Sequence, residues 1–362
     1  MLDPKFWQDK LQPYTKKSNG IATMQIAVTL IPYILLWVAY LHLFEFSPWL
    51  VIPFSLVTSF FVLRFFILMH DCGHSAMFKS KLANQIVGFF LGVLTGLPQY
   101  AWSKNHAYHH STNGDWVKYG GVFNIISTDE YSKLSAKQQK NYWRFRQPAI
   151  LILAGFYYGL FNPRFTWIVG TITMFVKIIR SLFKFNLSAT IDTAKTWESK
   201  YWKGKKEYRH MTYNNFVLLS AWVVMCNAVG VAEFFVFYVI TNSLSGSMGI
   251  LGFTIQHNFE NSYATDTAHV NHYKAALEGT SYFIFPRAFN WFTANVAYHH
   301  IHHLSAAIPN YRLAACHRKW ESLFTNVKKV YPRDFLGTFK YQLWDPKQGT
   351  IVARADTAHL NA

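Results

Sequence analysis

IATMQIAVTLIPYILLWVAYLHLF, spanning Ile21–Phe44, contains no Lys, Arg, Asp or Glu. A helix crosses a bilayer with about 20 predominantly apolar residues, so this stretch reads as a membrane span. Glu45, Ser47 and Pro48 break it, and a second apolar run extends from Trp49 to Met69. The one charge of that run, Arg64, lies close to its end, where a long side chain can snorkel to the interface. Together the two runs form a helical hairpin. Far downstream a second pair repeats the pattern, Phe216–Val231 and Phe234–Ile255, broken at Glu233. The expected fold is therefore an all-α integral membrane protein with four transmembrane helices in two hairpins, at about 21–44, 49–69, 216–231 and 234–255. A cytoplasmic helical cap completes it.

The segments between the hairpins set the topology. Ile86–Leu97 is apolar, but a helix of that length rises only about 18 Å against a hydrocarbon core of about 30 Å. It reads as a re-entrant segment that returns to the side it left. Ala149–Phe161 is also too short to cross comfortably. From Thr166 to Phe185, Lys177, Arg180 and Lys184 recur at helical spacing among apolar residues, the pattern of an amphipathic helix in the interface. The linker from His70 to Asn214 holds nineteen Lys or Arg against seven Asp or Glu, whereas the breaks near Glu45 and Glu233 hold no basic residue. The positive-inside rule then places both termini and the linker in the cytoplasm. The domain reading is a cytoplasmic segment 1–20, a membrane domain 21–344 with an interfacial linker 70–214, and a tail 345–362.

Composition narrows the function. The chain is 51% hydrophobic and 18% aromatic, with a formal charge of +17. A basic balance can serve nucleic acid, an anionic membrane or an acidic partner. No phosphate loop, basic helix or zinc-finger spacing supports nucleic acid. Cys72, Cys226 and Cys316 are scattered, with no CxxC pair, and imply neither a disulfide framework nor a thiolate metal site. The polar first twenty residues show no secretory signal peptide.

Histidine carries the chemistry. Four imidazoles fall within 299–303 of YHHIHH, and neutral imidazole is the commonest protein metal ligand. On a helix His299 shares a face with His302 and His303, and His300 points away. HAYHH repeats the spacing with His106, His109 and His110, and HDCGH sets His70 and His74 at i, i+4. His257 ends the fourth apolar run. All four groups emerge on one side, giving nine convergent imidazoles, more than one ion coordinates and suited to two neighbouring metals. Zinc, copper, iron and nickel all accept imidazole, so spacing leaves the metal open.

These boxes, with GILGFTIQHNFENSY (249–263), TANVAYHHIHHLSAAIPNYRL (293–313) and NIIST before Asp129, resemble the membrane fatty acid desaturases, above all the bacterial acyl-lipid branch. The likeness runs from about Ile21 to Trp344. It implies a di-iron centre held by His70, His74, His106, His109, His110, His257, His299, His302 and His303, with zinc able to substitute in a purified preparation. It also implies O2-dependent introduction of a cis double bond into an acyl chain, lipid-esterified in that branch, at a bacterial inner membrane. With no haem-binding His-Pro-Gly-Gly and no ferredoxin-type cysteine run, electrons would come from a separate donor such as ferredoxin. Ala294 and Ala297 stand where relatives often carry glycine, and Ala306-Ala307 where a proline and a basic residue are common. Phe253 replaces an asparagine of the acyl-CoA branch.

Ligating histidines pass their second nitrogen to a carboxylate or carbonyl. Asp71, Asp115, Glu260 and Asp266 lie nearest the boxes, with Glu260 favoured because it follows His257 by three residues. Asn295 could orient a ligand or bind water, and His300 is expected in the outer sphere or at the surface. His210, His269, His272, His317 and His359 lack box spacing and read as ordinary. Trp102, Trp116, Tyr119 and Trp291 are candidates for the acyl tunnel, or interface anchors. Two other functions compete. A hydroxylase or ketolase could use the same boxes and is separated by its oxygenated product. A membrane metal or haem transporter would distribute histidines along or within its helices, whereas these gather at helix ends.

Overall fold

The computed structural model describes residues 4–44, 46–118 and 125–354. Helix α1 (Asn19–Phe44) buries Ala22, Gln25, Thr29, Tyr33, Trp37 and Tyr40, a stripe at three- and four-residue spacing. Met24, Ile31, Leu35 and Val38, on the remaining surface, are exposed. Large apolar side chains facing outward along a long helix suit a hydrocarbon solvent. Helix α2 (Val51–Gly73) is buried almost continuously from Phe61 onward and forms the centre of the bundle. Arg64 does not snorkel. It is buried, its Nε donates to Thr29 Oγ1 at 2.9 Å, NH1 donates to the Trp291 carbonyl, and the guanidinium lies 4.1 Å from the Trp291 ring centroid. A buried cation persists where oxygen and π partners replace water.

Helices α3 (Lys81–Thr95) and α4 (Gln99–Ser111) meet at a 100° bend. Gly96 makes the corner at φ 76, a left-handed conformation that a side chain would strain. Helix α3 packs along α2, and α4 brings His106 to the end where α2 stops, 4.6 Å from His70 between ring centroids.

The next helix corrects the sequence reading. Ala149–Phe161 and Thr166–Phe185 are not two short pieces, since one helix, α5, runs through Ile150–Phe183. The intervening Asn162-Pro163 does not break the helix, although proline removes a backbone donor. A π-helical turn at Tyr157–Phe161 precedes the proline and absorbs the mismatch. Arg164, just after it, donates to the carbonyls of Gly96, Gly159 and Leu160, tying α5 to the α3–α4 corner.

Helix α6 (Gly204–Val229) and helix α7 (Val231–His257) make the second hairpin around Gly230. Among the described residues four helices are long and apolar enough to cross a membrane: α1, Pro48–Gly73, α5 and α7. By length and composition α5 passes and α6 does not, because α6 devotes its first turns to Lys205, Lys206, Glu207 and Arg209. Where α5 crosses α7, a Cβ on Gly155 would lie 2.2 Å from the Ser243 carbonyl, and one on Gly246 would lie 2.8 Å from the Gly155 carbonyl. Small residues let two backbones approach this closely.

The cap holds two small sheets that the all-helical expectation did not include. Strands β1 (Ile126–Ser127), β4 (Tyr341–Asp345) and β5 (Thr350–Ala353) form one, and β2 (Ser281–Phe283) pairs in parallel with β3 (Lys328–Val330) in the other. The boundary drawn at 344 therefore cuts a β-hairpin. The first residues are not a separate segment either. The Pro4–Leu11 helix inserts Trp7 and Leu11 into a core with Tyr298, Ile301, Leu313 and Phe324.

Candidate metal centre

Each histidine box ends on an element aimed at one place. Helix α2 delivers His70 within its last turn and His74 as its C-terminal cap, and α4 delivers His106, His109 and His110. Helix α7 ends on His257, and the short helix α8 (His299–Leu304) supplies His299, His302 and His303. Among the described residues these nine fall into two groups. His70, His74, His106, His110 and His302 have ring nitrogens within 4.8 Å of one another, as do His109, His257, His299 and His303. The groups adjoin where His110 stacks on His303, with centroids 4.3 Å apart.

Within each group the lone pairs crowd. His110 Nε2 lies 3.0 Å from His106 Nε2 and 2.9 Å from His302 Nε2. His299 Nε2 lies 3.0 Å from His257 Nε2 and 2.9 Å from His303 Nε2. A ring nitrogen offers one proton or one lone pair, so it cannot make two good hydrogen bonds to nitrogens of the same kind. A cation resolves the conflict. For metal–nitrogen bonds of about 2.1 Å, ligands at right angles sit about 3 Å apart, which is the spacing found. Burial first, and neighbouring imidazoles second, hold His299, His302 and His303 well below the usual histidine range. They are neutral near pH 7, as metal ligation requires.

The far nitrogens are also oriented. His257 Nδ1 donates to the Gly279 carbonyl at 3.2 Å, leaving Nε2 to face His299. Asp71 Oδ1 lies 3.0 Å from His70 Nδ1, and Asp71 Oδ2 accepts from both the backbone N–H and the side chain of Asn310, each at 2.8 Å. Asn310 Oδ1 in turn accepts from Gln25 at 2.8 Å. Neither Asn310 nor Gln25 was singled out from the sequence. Asn310 does fall in the quoted stretch 293–313, but it is far from any box in chain order.

Other candidates lie elsewhere. Glu260 is exposed and faces Lys328 Nζ at 3.8 Å, because α7 ends at His257 and three residues further on is no longer one helical turn. Asp266 pairs with His269 at 2.7 Å on the surface. Asp115 is buried and accepts from the Lys118 N–H. Asn295, at φ 61, donates to the Asn310 carbonyl rather than to a ring. Ala294 beside it has φ 42, a left-handed conformation that favours the glycine common in relatives. His300 is fully buried but points away from the nine. Its Nε2 meets His317 Nδ1 at 3.1 Å between Tyr282 and Phe324, so His317 is not an ordinary surface residue.

A cavity of about 730 Å³ abuts the centre, between α2, the α3–α4 corner, α5, α6 and α7. Trp102 lines it and stacks 4.7 Å from His106, and Phe253 lines it 5.9 Å from His106. Trp116 does not line it and packs instead with Ile125, Tyr341 and Trp344 of the cap sheet. Trp291 lies under Arg64 against Phe61, away from the cavity. Tyr119 and Glu45 lie outside the described residues.

The model of the fatty acid desaturase family matches residues 46–333, which contain all nine histidines. The chain belongs to the fatty acid desaturase family. It is similar to the fatty acid desaturase of Bacillus subtilis, 30% identical over 96% of this chain and 89% of that one. It is also similar to the sn-1 oleoyl-lipid 12-desaturase of Anabaena variabilis, 21% identical over 74% and 68% of the two chains. A shorter match, 28% identical over 27% of this chain and 21% of the relative, is to the sn-2 acyl-lipid omega-3 desaturase (ferredoxin), chloroplastic, of Arabidopsis thaliana. The desaturase family consists of oxidoreductases acting on fatty acyl substrates, and the spans of this member fit a membrane protein.

Proposed function

We propose that this desaturase introduces a cis double bond into a lipid-esterified acyl chain, with His70, His74, His106, His110 and His302 holding one iron and His109, His257, His299 and His303 the other. The two adjoining all-imidazole groups beside a cavity of about 730 Å³ carry this reading. Removing two hydrogens from adjacent methylenes, with O2, two electrons and two protons giving two waters, needs an oxidant that redox-inert zinc does not supply; bound iron supplies it. The chain's own part is placement. Imidazoles with oriented second nitrogens fix the ions, and Trp102, Phe66 and Phe253 keep water from the face that meets the acyl chain.

The lysine-rich linker favours a cytoplasmic centre at a bacterial inner membrane. A separate acidic donor such as ferredoxin fits the same basic face. The lipid ester and ferredoxin in relatives' names support the two corresponding assignments. The membrane unit begins at about residue 21 and extends past 344, so that it includes the β4–β5 hairpin.

Expression in a host lacking polyunsaturated lipids, followed by double-bond mapping of its membrane fatty acids, tests the activity. New cis double bonds are expected, lost on replacement of any one of the nine histidines. An oxygenated acyl chain without a new double bond would make the protein a hydroxylase or ketolase instead. Metal analysis after growth in iron-rich medium is expected to find two irons per chain.

A further inference from the structure

The cavity has a basic rim as well as an apolar floor. Ala101, Trp102 and Asn105 of α4, with Glu207 and Met211 of α6, line one side of it. The neighbours of these residues in sequence form an edge just outside. Lys104 Nζ lies 5.5 Å and Lys206 Nζ 4.9 Å from the centroid of one ring, that of Tyr100. Tyr100 itself stacks on His210 at 4.5 Å, with planes only 15° apart. Both lysines are exposed, and Lys206 has no acidic partner among the described residues. The nearby carboxylate, Glu207, is 4.0 Å from Lys104 and already accepts the Lys203 N–H at 2.9 Å.

Two ammonium groups drawn to one ring, with a single carboxylate beside only one of them, leave a net positive edge that attracts an anion. The place suits one kind of anion. Helix α4 meets α3 at a 100° bend, and its Asn105, next to Lys104, lines the cavity. Lys104 thus stands at the edge of a cavity whose wall residues Trp102 and Phe253 pack against His106.

We propose that Lys104 and Lys206, set on the Tyr100–His210 stack, bind the phosphate of a glycerophospholipid whose acyl chain fills the cavity. The proposal rests on the lipid-ester reading given above. A phosphodiester supplies one negative charge and free oxygens to two flexible ammonium groups, while an uncharged sugar headgroup gives them nothing to neutralise. Phosphate also occurs on acyl thioester carriers, and the test separates the two sources.

Wild type and the double variant Lys104→Gln/Lys206→Gln are expressed in a bacterium whose own desaturase is deleted. Its membrane contains both phosphatidylglycerol and uncharged diglucosyl diacylglycerol. Mass spectrometry resolved by lipid class follows new double bonds from the moment of induction. Wild type is expected to desaturate phosphatidylglycerol ahead of the glycolipid. In the double variant the ratio of the two initial rates should fall about tenfold, the scale of two partly exposed charge contacts. The Lys104→Arg/Lys206→Arg variant should restore it. Purified protein should retain added phosphatidylglycerol in native mass spectrometry, and the glutamine variant should lose it at unchanged metal content. Equal rates on the two lipids in wild type, or an unchanged ratio in the variant, would overturn the rim assignment alone. Double bonds appearing first in acyl thioesters would overturn it together with the lipid-ester reading.

Discussion

At the scale of single residues, two of the nine imidazoles have their second nitrogen held, His70 by Asp71 and His257 by the Gly279 carbonyl. Asp71→Asn keeps the shape but removes the charge beside His70 and the paired acceptor for Asn310. Removing an outer-sphere partner of this kind typically costs about 10- to 100-fold in metal affinity or activity, and iron per chain measures it. His300→Ala should keep both metals and part of the activity, because His300 faces His317, whereas His299→Ala should lose metal. Acid should empty the site. The buried imidazoles are held below the ordinary value of about 6.5, so unfolded or open forms bind protons that the folded form does not. Iron retention is therefore expected to be full near pH 8 and to decline as pH falls below about 6.5, measured after equilibration at each pH. The boxes were legible because their i, i+3 and i+4 spacing is local. Asp71 was noticed through its position inside a box. Asn310 lies 239 residues from Asp71, a pairing only tertiary structure makes.

At the scale of elements, packing of α5 on α7 decides where the cavity wall stands. Gly155→Ala would push a methyl into the Ser243 carbonyl, and such overpacking costs about 1–3 kcal/mol, visible as a lower thermal midpoint in detergent. Gly252→Ala, on the same α7 but with nothing within 4 Å, should be neutral or stabilising by up to about 1 kcal/mol. Apolar runs marked α1, α2 and α7 clearly. The continuity of α5 escaped them, because the apolar run at Ala149–Phe161 is short, the later part carries Lys177, Arg180 and Lys184, and a π turn is not visible in residue types. The small-residue crossing escaped notice for a related reason: Gly155, Ser243 and Gly246 mean little until two helices are known to touch.

At the scale of the whole molecule, the chain's two ends both close the cap over the centre. Ending the protein at Trp344 removes β5 and should lower the thermal midpoint and the iron content together, since β4 loses its antiparallel partner. The N-terminal helix matters in another way. Trp7 stacks on Phe324 at 5.9 Å, so a helix early in this sequence finds its place only against a segment far downstream. During translation the spans can enter the bilayer one hairpin at a time, but the Trp7 pocket and the third histidine box both wait for the C-terminal third. On the di-iron reading proposed above, metal loading is thus a late event in biosynthesis, and a ribosome stalled before Phe324 is expected to leave an inserted chain without iron whose Pro4–Leu11 helix still lacks its partner.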